Sequence, residues 1–184
     1  INPLAVVVPK DAADVKKAVE IARKHKLKIL PRGGGTSLAG QTVGEALVLD
    51  FSKYMNKILA VNVEERWVRV QPGLVRDELN EEMARYKLHF APDPATSSRA
   101  NVGGMVGNNS SGTKSILYGK TVDHVLETEV LLADGTQMTF KELPPEEFRQ
   151  KAQQKSREGE IYRNFYQTIG THKEEIKQRF PKVM

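Results

Sequence analysis

The sequence contains no cysteine in its 184 residues, and that absence removes several chemistries together. Disulfides, thiolate nucleophiles, cysteine-ligated zinc and iron–sulfur clusters are all excluded from this chain, which fits a reducing compartment. Histidine is scarce as well. His25, His89, His124 and His172 are scattered, with no HExxH pair or other metal-ligand spacing, so no metal site is expected. No apolar run approaches the roughly 20 residues that span a bilayer. No signal peptide is visible either, so the expected location is cytoplasmic, with at most peripheral membrane association of a longer protein. A concentrated basic block is also missing. Net charge is +5, but Lys and Arg usually alternate with acidic residues, as in Glu174-Glu175-Ile176-Lys177. A surface that tracks phosphates along a nucleic acid would gather its cations. The excess charge therefore reads as a solvated surface, and no nucleic-acid partner is expected.

What is present suffices for one domain divided into two lobes: 39% hydrophobic and 28% charged residues are ordinary for a soluble globular chain. Residues 4–8 are a short apolar run bounded by prolines and read as a buried strand. Asp11 then reads as an N-cap, and Val15, Ala18, Val19 and Ala22 recur at helical spacing to about His25. Strands over 28–30 and 46–49 complete a small parallel β-α-β unit. Residues 57–63 and 66–71 read as two further strands. Pro72-Gly73 marks a turn, and Val75, Leu79, Met83 and Tyr86 share a helix face. Residues 125–133 and 136–140 form a hairpin about Asp134-Gly135. From Pro144 onward the chain is polar and expected to be helical, with ten Lys/Arg against seven Asp/Glu over 141–184.

Glycine is distributed unevenly. Ten of the 14 glycines fall in two stretches: Gly33, Gly34, Gly35, Gly40 and Gly44, then Gly103, Gly104, Gly107, Gly112 and Gly119. The first stretch, PRGGGTSLAGQ (31–41), follows a strand. Glycines there permit positive φ and close backbone approach, successive N–H groups can form an anion-binding nest, and Thr36 and Ser37 add hydroxyls. A diphosphate is the natural guest; a tight turn needing glycine for geometry alone is the bland alternative. A Rossmann GxGxxG from Gly33 fails at Leu38, and a P-loop ending in Gly119-Lys120-Thr121 fails at Lys114. The second stretch runs from Ala91 through Gly112 to Tyr118-Gly119. Prolines stiffen its start; the rest is dense in small residues and Asn/Ser groups that can lie against a large planar ligand. The sequons at Asn108 and Asn109 offer a surface-loop alternative, weak without other secretory features.

Four motifs in order, PRGGGTSLAGQ (31–41), VQPG (70–73), APDPATSSRANVGGMVGNNSSG (91–112) and YGKTVDHVLETEVLLADG (118–135), resemble the FAD-binding domain of the vanillyl-alcohol oxidase / p-cresol methylhydroxylase family. The resemblance covers nearly all of residues 3–140. It is greatest to the D-2-hydroxyacid dehydrogenase branch, which oxidises D-lactate, glycolate or D-2-hydroxyglutarate. TSSRANVGGMVGNNSSGTKSILYGKTVDHV and the later Glu160-Ile161-Tyr162-Arg163 are similar to large bacterial members fused to an iron–sulfur module.

This resemblance implies an α+β fold of p-cresol methylhydroxylase type, with a small parallel β-α-β lobe (about 1–52) and a mainly antiparallel lobe (about 53–140). Residues 141–184 would then be a polar helical extension toward a substrate-capping domain outside the chain. FAD would be the cofactor, with an iron–sulfur cluster elsewhere in a longer protein and a small 2-hydroxyacid as substrate. Arg32, Gly33, Gly34, Gly35, Thr36, Ser37, Gly40 and Gln41 would bind the pyrophosphate side. Pro94, Ala95, Thr96, Ser97, Gly103, Gly104, Asn108, Ser110, Ser111 and Gly112 would line the ribityl, ring and remaining phosphate regions, and the backbone at Val122 would meet the adenine end. Thr36 occupies the place of the histidine that binds flavin covalently in some members, so the expected attachment is non-covalent. The resemblance further implies hydride transfer from the substrate α-carbon to the flavin as a base removes the hydroxyl proton. No catalytic residue is assigned within 1–184. A sugar or alcohol oxidase on the same flavin domain is the runner-up, and a non-catalytic nucleotide-binding module is the rival of another class.

Overall fold

Asp11 sets the first strand-to-helix junction. Its carboxylate accepts from the backbone N–H groups of Ala13 (2.9 Å) and Asp14 (3.0 Å), a cap worth about 1 kcal/mol. The structure, a computed structural model, describes residues 1–180; the end of the expected polar extension, 181–184, lies outside the described residues. Strand β1 (Ala5–Val7) leads into helix α1 (Ala12–Lys24), then β2 (Ile29–Arg32) and β3 (Leu47–Asp50). These strands form a parallel sheet in the order β1-β3-β2, with Ala5 and Ile29 both opposite Leu47. Ala18 and Ala22 of α1 pack on Leu47 and Leu49, with Val7, Val15 and Ile29 around them. Central strand β3 has its two faces covered, so Leu47, Val48 and Leu49 are all buried.

Strand β2 extends past Pro31 to Arg32, one residue beyond the proline at which the sequence predicts an end. It lies at the edge of the sheet, where a missing N–H leaves no central ladder bond unmade.

A second core follows. Antiparallel β4 (Ile58–Asn62) and β5 (Trp67–Val70) pair with a shift between Ile58 and Ala60. Helix α2 (Arg76–Ala84) buries Leu79 and Met83 against Leu74, Val61, Val68 and Val70. Residues 101–124, for which the sequence predicts no regular element, contain helix α3 (Val102–Asn108), a short helix α4 (Ser115–Tyr118) and a 3-10 turn over Thr121–His124.

By backbone proximity the described residues divide into two compact units, residues 1–125 with 133–135, and residues 126–132 with 136–180. The second contains the hairpin β6 (Glu127–Leu131) and β7 (Gln137–Lys141), then helices α5 (Pro145–Gln153), α6 (Arg157–Thr171) and α7 (Lys173–Arg179). Its centre is aromatic: Tyr162 meets Phe148 edge-on at 5.1 Å and lies 6.4 Å from Phe140. Lys151 bonds Glu158 at 2.6 Å at the α5–α6 corner. That bond raises the lysine's pKa; burial pushes the Tyr162 phenol up.

Candidate functional site

The first glycine stretch leaves β2 at Arg32 and turns at once. Arg32 bends back over the turn: its Nη1 donates to Thr42 O at 3.1 Å, and its Nη2 lies where a side chain on Gly35 would project. Gly35 has φ +66°, the left-handed region that glycine adopts without a Cβ clash. A Cβ on Gly34 would overlap the carbonyl oxygen of Arg99, and one on Gly33 would stand 2.5 Å from Asn101 Oδ1. The loop is therefore seated on the backbone and side chain of 99–101. Its upper side stays available: among the described residues, no backbone N–H of residues 33–37 and neither hydroxyl of Thr36 and Ser37 has a hydrogen-bond partner. A row of unpaired donors beside a guanidinium suits an anion.

The second stretch approaches the first through α3. Gln41 Nε2 donates to Asn108 Oδ1 at 2.9 Å, joining the end of the first loop to the end of α3. The helix is short and glycine-rich, and long-range contacts hold it. Met105 is 1% exposed, Val102 N donates to Leu74 O (2.8 Å), and Gly103 N donates to Pro72 O (2.9 Å). A Cβ on Gly103 would stand 2.6 Å from that of Pro72, whereas Gly104 and Gly107 face open space. Each of those two helical glycines costs about 0.8–1 kcal/mol relative to Ala, and no neighbouring protein atom requires it. Gly40, with φ +82°, also faces open space.

The remaining sequence-predicted residues divide between open groups and groups already used. Pro94, Ala95, Thr96 and Ser97 form a turn closed by Ser97 N to Pro94 O (2.9 Å) and by Arg99 N and Ala100 N to Thr96 O (both 2.8 Å). The Ser97 hydroxyl donates to Asp77 Oδ2 at 2.9 Å. Asp77 is also paired with Arg76 at 2.8 Å, and the two bonds hold its carboxyl below the usual range, Arg76 contributing most. No described hydrogen bond joins 94–97 to the first loop. Ser110 O accepts from both Thr121 N (3.0 Å) and Thr121 Oγ1 (2.7 Å). Thr121, the last residue of the P-loop-like Gly119-Lys120-Thr121, is fully buried and has its hydroxyl committed internally. Gly112 stands so close to Asp93 O that no side chain fits, and its N–H donates to Ser115 Oγ (3.0 Å). Ser111 is exposed. The N–H of Val122 is taken by Asn109 Oδ1 at 3.0 Å.

Asn101 is the feature that sequence reasoning misses. It is 3% exposed, its Nδ2 donates to Gly73 O, and its Oδ1 is buried without a hydrogen-bond partner. It is also the N-cap residue of α3, yet its side chain makes no cap bond. An unused Asn cap forgoes about 1 kcal/mol, and a buried, unsatisfied carbonyl costs about 1–3 kcal/mol. The only available signal is an Asn preceding an apolar i, i+3 pair, Val102 and Met105.

Unpaired loop donors, helical glycines open on one side and a guanidinium at the turn fit a dinucleotide cofactor with a diphosphate and a flat ring system. The comparisons agree. A model of the FAD binding domain matches residues 3–141. D-2-hydroxyglutarate dehydrogenase of Pseudomonas putida is 42% identical over 98% of this chain and 18% of its own length. Glycolate oxidase subunit GlcD of Bacillus subtilis is 36% identical over 72% of this chain and 28% of its own. The chain thus spans about a fifth of the length of the dehydrogenases it matches. The fold is shared with 6-hydroxy-D-nicotine oxidase of Arthrobacter nicotinovorans, at TM-score 0.66 and 24% identity over 74% of this chain and 29% of that one. The cofactor is FAD, and the chain belongs to the FAD binding domain family of p-cresol methylhydroxylase type.

Proposed function

We propose that the chain is the cofactor-holding part of a flavin-dependent dehydrogenase that oxidises a D-2-hydroxyacid to the 2-oxoacid. The observation that carries this reading is the 42% identity to a D-2-hydroxyglutarate dehydrogenase over 98% of the chain. When bound, FAD supplies the hydride-accepting ring; the protein's task is to hold and orient it and to exclude competing reactions.

The residue roles follow from the site. The free N–H groups of Gly33, Gly34, Gly35, Thr36 and Ser37 take the diphosphate, with both hydroxyls and the nearby charge of Arg32. Gly40 and Gln41 close that side through the bond to Asn108. Gly104 leaves room for a flat ligand over α3, beside Gly103, Ser110, Ser111 and Gly112. Pro94, Ala95 and Thr96 line the approach, and Ser97 contributes through backbone, since its hydroxyl serves Asp77. At the adenine end, Val122 offers its surroundings rather than its N–H, which Asn109 holds. Thr36 has no side-chain nitrogen with which to bond flavin covalently, so the cofactor is released intact on acid precipitation. We take 1–140 as the FAD-binding domain and 141–184 as an extension toward a substrate domain. In this reading, the groups that grip the substrate carboxylate and accept its proton come from outside this chain. Any iron–sulfur cluster would as well, since this chain has no cysteine. A cytoplasmic location belongs to the same proposal; among the described residues no helix is long and apolar enough to cross a membrane.

The test is to mix the FAD-loaded longer protein with D-2-hydroxyglutarate or D-lactate and an artificial electron acceptor. Flavin bleaching and 2-oxoacid formation are expected. Bleaching by sugars or simple alcohols, with none by D-2-hydroxyacids, overturns the substrate class. The 184-residue chain supplemented with FAD should turn over far below the roughly 1 s⁻¹ of an ordinary enzyme.

A further inference from the structure

Three features converge on Asn101. It is almost wholly buried, with Oδ1 unpartnered. Its backbone joins two elements: an isolated bridge pairs Asn101 with Val75, while Arg76 N donates to Ala100 O at 2.9 Å and Val102 N to Leu74 O. Its amide nitrogen donates to Gly73 O, and a Cβ on Gly73 would overlap the carbonyl oxygen of Phe51, just after β3. The side chain therefore lies between the turn at 72–73 and the first glycine loop. Its oxygen is directed at Gly33, at the place a side chain would fill.

An Asn at a helix N-cap ordinarily uses its oxygen on the first-turn N–H groups. Here that oxygen turns away and lies under the loop instead. A buried polar atom left without a partner calls for an explanation in a native structure, a strain reservoir, a functional role or a bound water or ion among them.

We infer that Asn101 is a positioning residue for FAD: its amide, anchored on Gly73, fixes Gly33 and thereby aims the free N–H groups of 33–37 at the diphosphate. Gly33 and Asn101 form a matched pair, in which glycine at 33 makes space for the amide and the amide sets the height of the loop. The inference rests on the proposed diphosphate site at 33–37. Asn101 touches no part of the ligand in this role; it acts through the loop.

The test measures FAD and ADP affinity by titration, at a temperature where circular dichroism shows each variant folded. Asn101→Gly should weaken both ligands by roughly tenfold or more, equivalent to about 1.4 kcal/mol. Loss of FAD and ADP together localises the defect to the half of the cofactor they share. Asn101→Asp keeps the shape but puts a carboxylate beside the loop donors, so it should weaken both ligands further. Gly33→Ala should also lose affinity, and Gly33→Ala/Asn101→Gly should return to the level of Asn101→Gly alone, because the amide that met the new methyl is gone. Wild-type affinity in both Asn101 variants, or a double variant no better than Gly33→Ala, overturns the inference. Gly34→Val separates the layers. If it loses FAD while the Asn101 variants bind normally, only this inference falls. If it too binds FAD normally, the diphosphate placement falls with it.

Discussion

The two glycine-rich regions use the same residue for opposite reasons. In the loop at 33–35 each glycine is required by the protein itself, since Asn101 and Arg99 occupy the Cβ positions of Gly33 and Gly34, and Gly35 has φ +66°. In α3 only Gly103 is so required; Gly104 and Gly107 look into open space while weakening their helix. The first region shows how the protein shapes its own backbone. The second shows room kept for something that is not protein. A glycine that packing does not explain is the more informative kind for locating a ligand.

The largest expected effect lies in the first region. Gly34→Val forces a side chain onto a backbone carbonyl, so it should destabilise the apo chain by about 1–3 kcal/mol and abolish FAD binding, read by urea denaturation and flavin titration. Gly104→Ala should separate the two quantities. It gains up to about 1 kcal/mol of helix propensity while FAD affinity falls by roughly tenfold, about 1.4 kcal/mol. If Gly104→Ala leaves FAD affinity unchanged, α3 does not face the cofactor and the contrast between the regions collapses. Ser97→Ala should cost about 0.5–1.5 kcal/mol through its lost bond to Asp77, with FAD affinity nearly unchanged because the hydroxyl is already committed.

The smallest effect is electrostatic. Folding depresses the pKa of Asp77, so its contribution is present above the unfolded value of about 3.9 and is lost as pH falls through the folded one. With the carboxylate 42% exposed, screening limits it to no more than about 1 kcal/mol. Asp77→Asn should be slightly less stable than wild type at pH 7, and the difference should shrink in urea melts as the pH is taken below the unfolded carboxylate value.

The parallel lobe was legible because each element carries its own signal: the Asp11 cap, the Val15/Ala18/Val19/Ala22 face and the apolar run at β3 are local features. The two strands β4 and β5 and the hairpin about Asp134-Gly135 were legible for the same reason. Helix α3 was not. Three glycines in seven residues argue against a helix, and it persists because Met105 is buried and Val102 packs against a core assembled elsewhere in the chain. The loop's anion-binding character could be read from Gly33–Gly35 and Thr36-Ser37, but its dependence on Asn101 could not. That contact joins positions 68 residues apart, and no local pattern encodes it. Committed hydroxyls such as those of Ser97 and Thr121 are likewise visible only when their acceptors are in place.

The strand order β1-β3-β2 also dictates a sequence of events in time. The middle strand is the last of the three to be synthesised, so neither β1 nor β2 has a partner until Leu47–Asp50 emerge. A nascent chain shorter than that can form α1 but no sheet, and the glycine loop that follows β2 has nothing to hold its origin. Long-range parallel pairing of this kind is intrinsically slow. At roughly 5–20 residues per second of synthesis, the ribosome takes seconds to deliver β3 after β1, an interval in which the backbone groups that β1 and β2 later pair with β3 stay without that partner.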